Sequence, residues 1–187
     1  MKAFIRDILG ALIVAGVIFF TLQITIGSII IPSGSMEPTL VIGERIITSK
    51  VAYMLREPER GDIITFHPPY QPEDATPLIK RIIGLPGESV EIKEGIVYIH
   101  QNGNVYPLDE PYIEELPNHD FQGDIIPEDE YFVLGDNRND SGDSRTGWTV
   151  PNDNIIGKAW LRIRPLDEWG VVLNYPLDEQ LASAVSE

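Results

Sequence analysis

From Ile8 to Ile31 the chain carries no charged side chain. A helix over the whole run would rise ~36 Å, more than a ~30 Å hydrocarbon core requires, so part of the run is free for another use. Its end, Ile24-Thr25-Ile26-Gly27-Ser28-Ile29-Ile30-Ile31, is β-branched and partly alternating, which suits a strand better than a helix. The pattern predicts a transmembrane anchor over residues 8–23 and a first strand directly after it. Lys2 and Arg6 precede the run, and a basic flank also opens a cleaved leader. The run is longer than the ~7–15 residues of a leader's apolar region, and no small-x-small site with a plausible mature start follows it, which favours an anchor. By the positive-inside rule, residues 1–7 are expected in the cytoplasm and residues 24–187 outside it, on a single-pass chain of the cell membrane. The lipid bilayer is the first expected partner.

The 187 residues suit one folded domain besides the anchor. Setting aside Lys2, Arg6 and Asp7 from 14 basic and 29 acidic residues leaves 12 and 28, a net charge of −16 for the outer part. Phosphate backbones need a basic surface, so nucleic acid is not an expected partner, and the acidity reads as solubility. The absence of cysteine excludes a disulfide framework, a thiolate zinc site and a cysteine nucleophile. His67, His100 and His119 are far apart and show no H-E-x-x-H spacing, so no metal or cofactor is expected.

Beyond the anchor the chain reads as mainly β. Short runs rich in Val, Ile, Phe and Tyr lie at residues 45–49, 62–67, 78–85, 89–93, 96–100, 131–134 and 155–163. Lys93-Glu94-Gly95 offers a tight hairpin turn in which Gly95 supplies a positive φ. One short helical stretch, Val51 to Leu55, interrupts the strands, and residues 101–128 are polar and proline-bearing, as for a small insert between core segments. Residues 178–187 read as a short, frayed tail. Arg60-Gly61-Asp62 spells an adhesion tripeptide, but a turn into the strand Ile63-Ile64-Thr65-Phe66 explains it equally well.

The loop Pro32-Ser33-Gly34-Ser35-Met36-Glu37-Pro38-Thr39-Leu40 follows the first strand. Gly34 permits backbone that a Cβ would hinder, and two prolines stiffen the ends, so the loop can present a hydroxyl and a backbone N–H to one point. An ordinary Ser/Gly turn is the alternative. A serine attacks a carbonyl usefully only with a base beside it, normally a histidine, and none of the three histidines fits. A lysine can substitute once its pKa falls from ~10.4 by roughly 2 units, about 3 kcal/mol of desolvation. Lys80, inside Leu78-Ile79-Lys80-Arg81-Ile82-Ile83-Gly84-Leu85, is the candidate: alternation turns it the same way as Leu78 and Ile82, either to a buried side or, on an edge strand, to solvent. The third element is the loop from Gly135 to Arg145, after the strand Tyr131-Phe132-Val133-Leu134. Asp136, Asp140 and Asp143 could hold calcium, but the spacing is not that of an EF-hand and Arg138 and Arg145 oppose a cation. Asp/Arg pairs that clamp a loop are the better physical reading.

Together, Ser33-Gly34-Ser35-Met36-x-Pro38-Thr39-Leu40, Arg60-Gly61-Asp62-Ile63, Lys80-Arg81-Ile82-Ile83-Gly84-Leu85-Pro86-Gly87-Glu88 and Gly135-Asp136-Asn137-Arg138 through Ser141-x-Asp143-Ser144-Arg145 resemble bacterial type I signal peptidases. The blocks fall in the family's order after an anchor, and the resemblance covers residues 8 to about 165. It implies a β-rich catalytic domain of coiled antiparallel sheets on one N-terminal transmembrane helix. It also implies a Ser/Lys endopeptidase that removes signal peptides from secreted preproteins, its expected substrates, through an acyl-enzyme. Position by position, Ser35 resembles the nucleophile and Lys80 the general base. Ser33 resembles an oxyanion donor beside the Ser35 N–H, and Ser141 the serine that orients the lysine amine. Asp143 with Arg145, and Asp136 with Arg81, resemble the bracing pairs. Ile31, Met36, Leu40 and Ile79 are expected as walls of the substrate pocket and as groups that desolvate Lys80, on resemblance and apolarity. Asn139-Asp140 and the order of Gly147-Trp148 after Arg145-Thr146 depart from the family's usual pattern, and neither touches a position expected to be catalytic. A self-cleaving repressor-type Ser/Lys protease lacks the anchor, whereas a tethered β binding module without catalysis would keep it.

Overall fold

The computed structural model describes residues 2–72, 74–175, 177, 178, 180 and 181, without the side chains of residues 2, 3, 5, 6 and 18–24. The first helix, α1 (Lys2–Thr25), ends two residues later than the sequence pattern suggests. The strand that follows, β1 (Ile26–Ile30), can start only where it has a partner. It pairs antiparallel with β2 (Arg45–Ser49), beginning at Ile26 opposite Ser49, and the Lys50 N–H closes on the Thr25 carbonyl at 2.9 Å. Ile24 and Thr25 therefore stay helical. On α1, Phe4, Ile8, Leu9, Leu12, Ile13, Val14 and Val17 are exposed. Among the described residues no helix is long and apolar enough to cross a membrane. The anchor expected over residues 8–23 falls in part, at 18–23, outside the described side chains.

A single helical turn, α2 (Ala52–Leu55), precedes β3 (Ile63–Phe66) and β4 (Leu78–Gly84). The hairpin of β5 (Ser89–Lys93) and β6 (Ile96–Gln101) closes between Lys93 and Ile96, with positive φ at both Glu94 and Gly95, the backbone that a two-residue type I′ turn requires. Then come β7 (Asn104–Pro107), β8 (Phe121–Gln122), β9 (Glu130–Leu134), β10 (Val150–Pro151), β11 (Ile155–Arg164) and β12 (Gly170–Val171). All pairings are antiparallel. One sheet runs β1-β2-β11-β3-β4-β9-β10 with β12 beside β11, and the other runs β7-β6-β5-β8. Bulges in β11, and one where β4 meets β9, curl the larger sheet.

Three apolar clusters hold these layers. Ile64, Phe66, Ile82, Tyr131, Val133 and Val150 form one; Ile31, Met36, Leu40, Ile46, Ile63, Ile79, Ala159 and Val172 form a second. The third fills the smaller sheet and takes in Tyr106, Leu108, Tyr112 and Ile126. Residues 101–128, expected as a small insert between core segments, supply β7, β8 and part of a core. The tail also differs from its expectation over its described part. Asp178 accepts from buried Arg60 at 2.9 Å and Leu181 joins the third cluster, so local polarity hid two long-range ties; residues 182–187 lie outside the described residues. Arg60 and Asp62 are both buried, the first on Glu88 and the second on Lys158 and Arg56, which removes Arg60-Gly61-Asp62 from the adhesive surface.

Candidate active site

β4 carries Lys80 through the middle of the larger sheet. Its register partner Ile64 on β3 and its strand neighbour Ile82 are fully buried, and Lys80 itself is 3% exposed. Of the two orientations open to it in the sequence, the lysine takes the buried one. Burial pushes its amine down to about 8, overcoming the carboxylates of Asp143 and Asp136, which pull the other way. Its Nζ lies 2.6 Å from Ser35 Oγ and donates to the Ile79 carbonyl at 3.0 Å. When the amine is neutral, one N–H can stay on that carbonyl while the lone pair faces the hydroxyl. The geometry is that of a base touching an alcohol.

Ser35 sits in a short 3₁₀ turn, Gly34–Met36, whose Met36 side chain is sunk in the second apolar cluster. That buried methionine and Leu40 root the loop, while Ser35 keeps 8% exposure. The Ser33 hydroxyl donates to Ser35 Oγ at 3.4 Å, a long contact. Gly34 does not adopt a positive φ, and a Cβ there would meet only the flexible Glu37 carboxylate, at 3.1 to 3.2 Å. The conformational reason read into Gly34 does not hold.

The requirement falls on Gly135 instead. A Cβ built there would lie 2.3 Å from the Ser35 carbonyl oxygen and 2.3 Å from Ser141 Oγ. The two loops therefore pass backbone against backbone. Asn137 fastens them, its N–H donating to the Ser35 carbonyl at 3.1 Å and its Nδ2 to the Gly34 carbonyl at 3.2 Å. Gly135→Ala is expected to cost any activity that uses the Ser35 hydroxyl about 100-fold, because backbone must move beside it. Steady-state kinetics on the folded variant check this, and parent-level turnover would refute the close approach.

The two bracing pairs are both present. Arg81 donates to both oxygens of Asp136, at 2.9 and 2.6 Å, in a pair wholly shielded from solvent, and Thr39 Oγ1 donates to Asp136 at 2.5 Å. Arg145 donates to both oxygens of Asp143 at 2.8 Å, and Asp143 in turn accepts from the Gly135 N–H at 3.1 Å. Sequence reasoning missed Thr39 and Asn137, although both lie inside the quoted blocks.

Two expectations need correction. Among the described residues the buried Ser141 hydroxyl has no hydrogen-bond partner and does not meet Lys80, whose Nζ bonds Ser35 and Ile79; close packing against Gly135 sets its place. Ile31, Met36, Leu40 and Ile79 are at most 4% exposed and pack on one another, so they form core beneath the site, not open walls. Apolarity alone does not separate the two cases. Among the described residues no group of three or more metal-ligating side chains is present.

Two strand edges near Ser35 carry no partner strand among the described residues. β3 runs along Leu78 to Arg81, but β9 registers only with Arg81, Ile82 and Gly84, so the other edge of Leu78 to Lys80 carries no strand. β1 is likewise an outer strand, paired on one side only.

Comparison with known proteins gives a consistent picture. A family model described as signal peptidase, peptidase S26, matches residues 2–164. A probable signal peptidase I-1 of Synechocystis sp. is 42% identical over 173 residues, covering 89% of this chain and 86% of the relative. A probable signal peptidase I-2 of the same organism is 44% identical over 149 residues, 76% of this chain, and this chain spans only 65% of that relative's length. Signal peptidase IB of Staphylococcus aureus is 33% identical over 188 residues, covering 90% of this chain and 94% of the relative.

Proposed function

The chain belongs to the signal peptidase family, peptidase S26, and from that premise we propose that it is a membrane-bound serine endopeptidase that removes N-terminal signal peptides from exported preproteins. The observation that carries the reading is the 2.6 Å contact between Ser35 Oγ and the buried Lys80 amine. Neutral Lys80 accepts the Ser35 proton as the oxygen attacks the scissile carbonyl. The oxyanion is met by the Ser35 N–H and the Ser33 hydroxyl, which rotates from its present contact with Ser35. The protonated lysine then gives its proton to the leaving amine. In deacylation it takes a proton from the water that attacks the acyl-enzyme, and returns it to the departing Ser35 oxygen, which restores both groups.

The open edge at Leu78 to Lys80 and the free side of β1 suit an extended substrate segment, which would add its backbone to the sheet. The uncharged stretch from Ile8 to Ile31 and the exposed apolar side chains of α1 support the helix as the membrane anchor. Lys2 and Arg6 argue for a cytoplasmic N-terminus and an extracytoplasmic catalytic domain. The anchor would hold Ser35 at the level where a preprotein's own apolar segment leaves the bilayer.

The test is cleavage of a preprotein by the detergent-purified full chain, with the mass of the product N-terminus determined. Ser35→Ala is expected to lose at least 1000-fold in rate while still folding. Parent-level processing by that variant would reject Ser35 as nucleophile. Binding of the preprotein without cleavage by the parent would favour a tethered binding module.

A further inference from the structure

Glu110 lies in the connection between β7 and β8, outside every block that carried the family resemblance. Its carboxylate takes both Nη groups of Arg138, at 2.5 and 2.7 Å, and the Tyr112 hydroxyl donates to it at 2.6 Å. Both partners of this ion pair are nearly or wholly shielded, at 5% and 0% side-chain exposure. The remaining guanidinium donor, Arg138 Nε, reaches the Gly135 carbonyl at 3.1 Å. Gly135 is the residue that passes against the Ser35 carbonyl, and between it and Arg138 sits Asn137 with its two bonds to the serine loop. The Tyr112 ring, meanwhile, lies 4.0 Å from the Arg81 guanidinium, the partner of Asp136. One short connection between strands of the smaller sheet therefore grips Arg138 and Arg81, two of the three arginines that hold the loop behind Ser35.

We infer that Glu110 is a positioning residue for the reaction: through Arg138 it fixes the Gly135 carbonyl and so the register of Asn137 on the Ser35 turn, while Tyr112 steadies Arg81 on Asp136. It touches neither Ser35 nor Lys80. The inference rests on the reading of those two as the reacting pair. Stability alone is a poor reason for such a bridge, since buried ion pairs contribute little net stability compared with well-packed apolar groups. Its place explains it better. Asn139, Asp140 and Gly142, further along the same loop, are exposed, so the grip on its first residues has to come from below.

The experiment uses the full chain in detergent with a preprotein substrate, after the parent and Ser35→Ala have established the reading itself. Glu110→Gln keeps the shape but turns an N–H toward one arm of Arg138. It is expected to lower kcat roughly 10- to 100-fold with KM within about twofold, and Tyr112→Phe, which keeps the ring over Arg81, to stay within about threefold of the parent. Glu88→Gln breaks an equally buried bridge to Arg60 and serves as the comparison, expected to lower Tm while kcat per folded molecule holds. Hydrogen exchange at the Gly135 and Asn137 amides should quicken about tenfold or more in Glu110→Gln, since the loop loses its grip. An unchanged kcat, a change in KM alone, an equal kcat loss in Glu88→Gln, or a Glu110→Gln chain that does not fold would each overturn the inference. So would unchanged exchange at those amides, and that readout holds even if no preprotein were cleaved.

Discussion

Replacing Lys80 by methionine is expected to reduce preprotein cleavage roughly 1000-fold or more while making the folded chain more stable at neutral pH. The two effects share a cause. The amine is held at about 8 by burial, whereas in the unfolded chain it titrates near ~10.4. Below pH 8 both states are protonated, and folding carries the full cost of burying an ammonium. Between about pH 8 and ~10.4 the folded state sheds its proton first, so stability rises with pH through that window. Methionine keeps the length of the stem and removes the charge. The variant should therefore exceed the parent by up to about 3 kcal/mol at pH 7, the gap narrowing as pH approaches ~10. In the parent, kcat/KM should climb about tenfold per pH unit below 8 and level off above it, following the neutral amine. Urea unfolding at several pH values and a pH–rate profile measure the two halves. A flat profile from pH 6 to 9, or a variant less stable than the parent at pH 7, would sink the assignment.

Much of this arrangement could be read from the chain because the relevant order is local. Short runs of β-branched and aromatic residues located β2 through β6 and β11 nearly to the residue, and Lys93-Glu94-Gly95 announced its own turn. Lys80 stood out as a charged group inside an apolar run, whereas Ser35, Asp136 and Asp143 took their expected roles from the family resemblance of their blocks. What escaped depends on contacts far apart in sequence. Glu110 looks like one acid in a polar stretch until Arg138 folds onto it, and Asp178 looks like tail until Arg60 reaches it. Ile31, Met36, Leu40 and Ile79 show the opposite failure: hydropathy fixed them as buried, but only packing could say that they bury one another. Ser141, inferred to face the lysine, turns out to be ruled by how closely Gly135 approaches Ser35.

Asp136 provides the second large effect. With Asp136→Ala, Arg81 stays wholly buried and loses two charge-assisted bonds at once, retaining the Gly61 carbonyl at 3.0 Å and the face of Tyr112. An orphaned charge of this kind costs about 3–5 kcal/mol, well beyond what the pair itself contributes. Thr39 also loses the acceptor that ties the far end of the serine loop to this one. Asp136→Asn should lose only about half as much, because an amide oxygen in the Oδ2 place still accepts from Arg81 Nη2 and Thr39 while only the Nε bond is lost. The electrostatic consequence has a definite sign. Asp136 is one of two carboxylates that raise the Lys80 amine against burial, so its removal leaves Arg81 unopposed and drives the amine further down. Residual activity in either variant should then rise at lower pH than in the parent, even as its plateau falls. Urea unfolding with an unchanged m-value measures the first effect and the pH–rate midpoint the second. A stability loss under about 1 kcal/mol for the alanine would show that Arg81 finds another partner, against the packing around it. A midpoint moving upward would mean that the lysine does not sense this carboxylate.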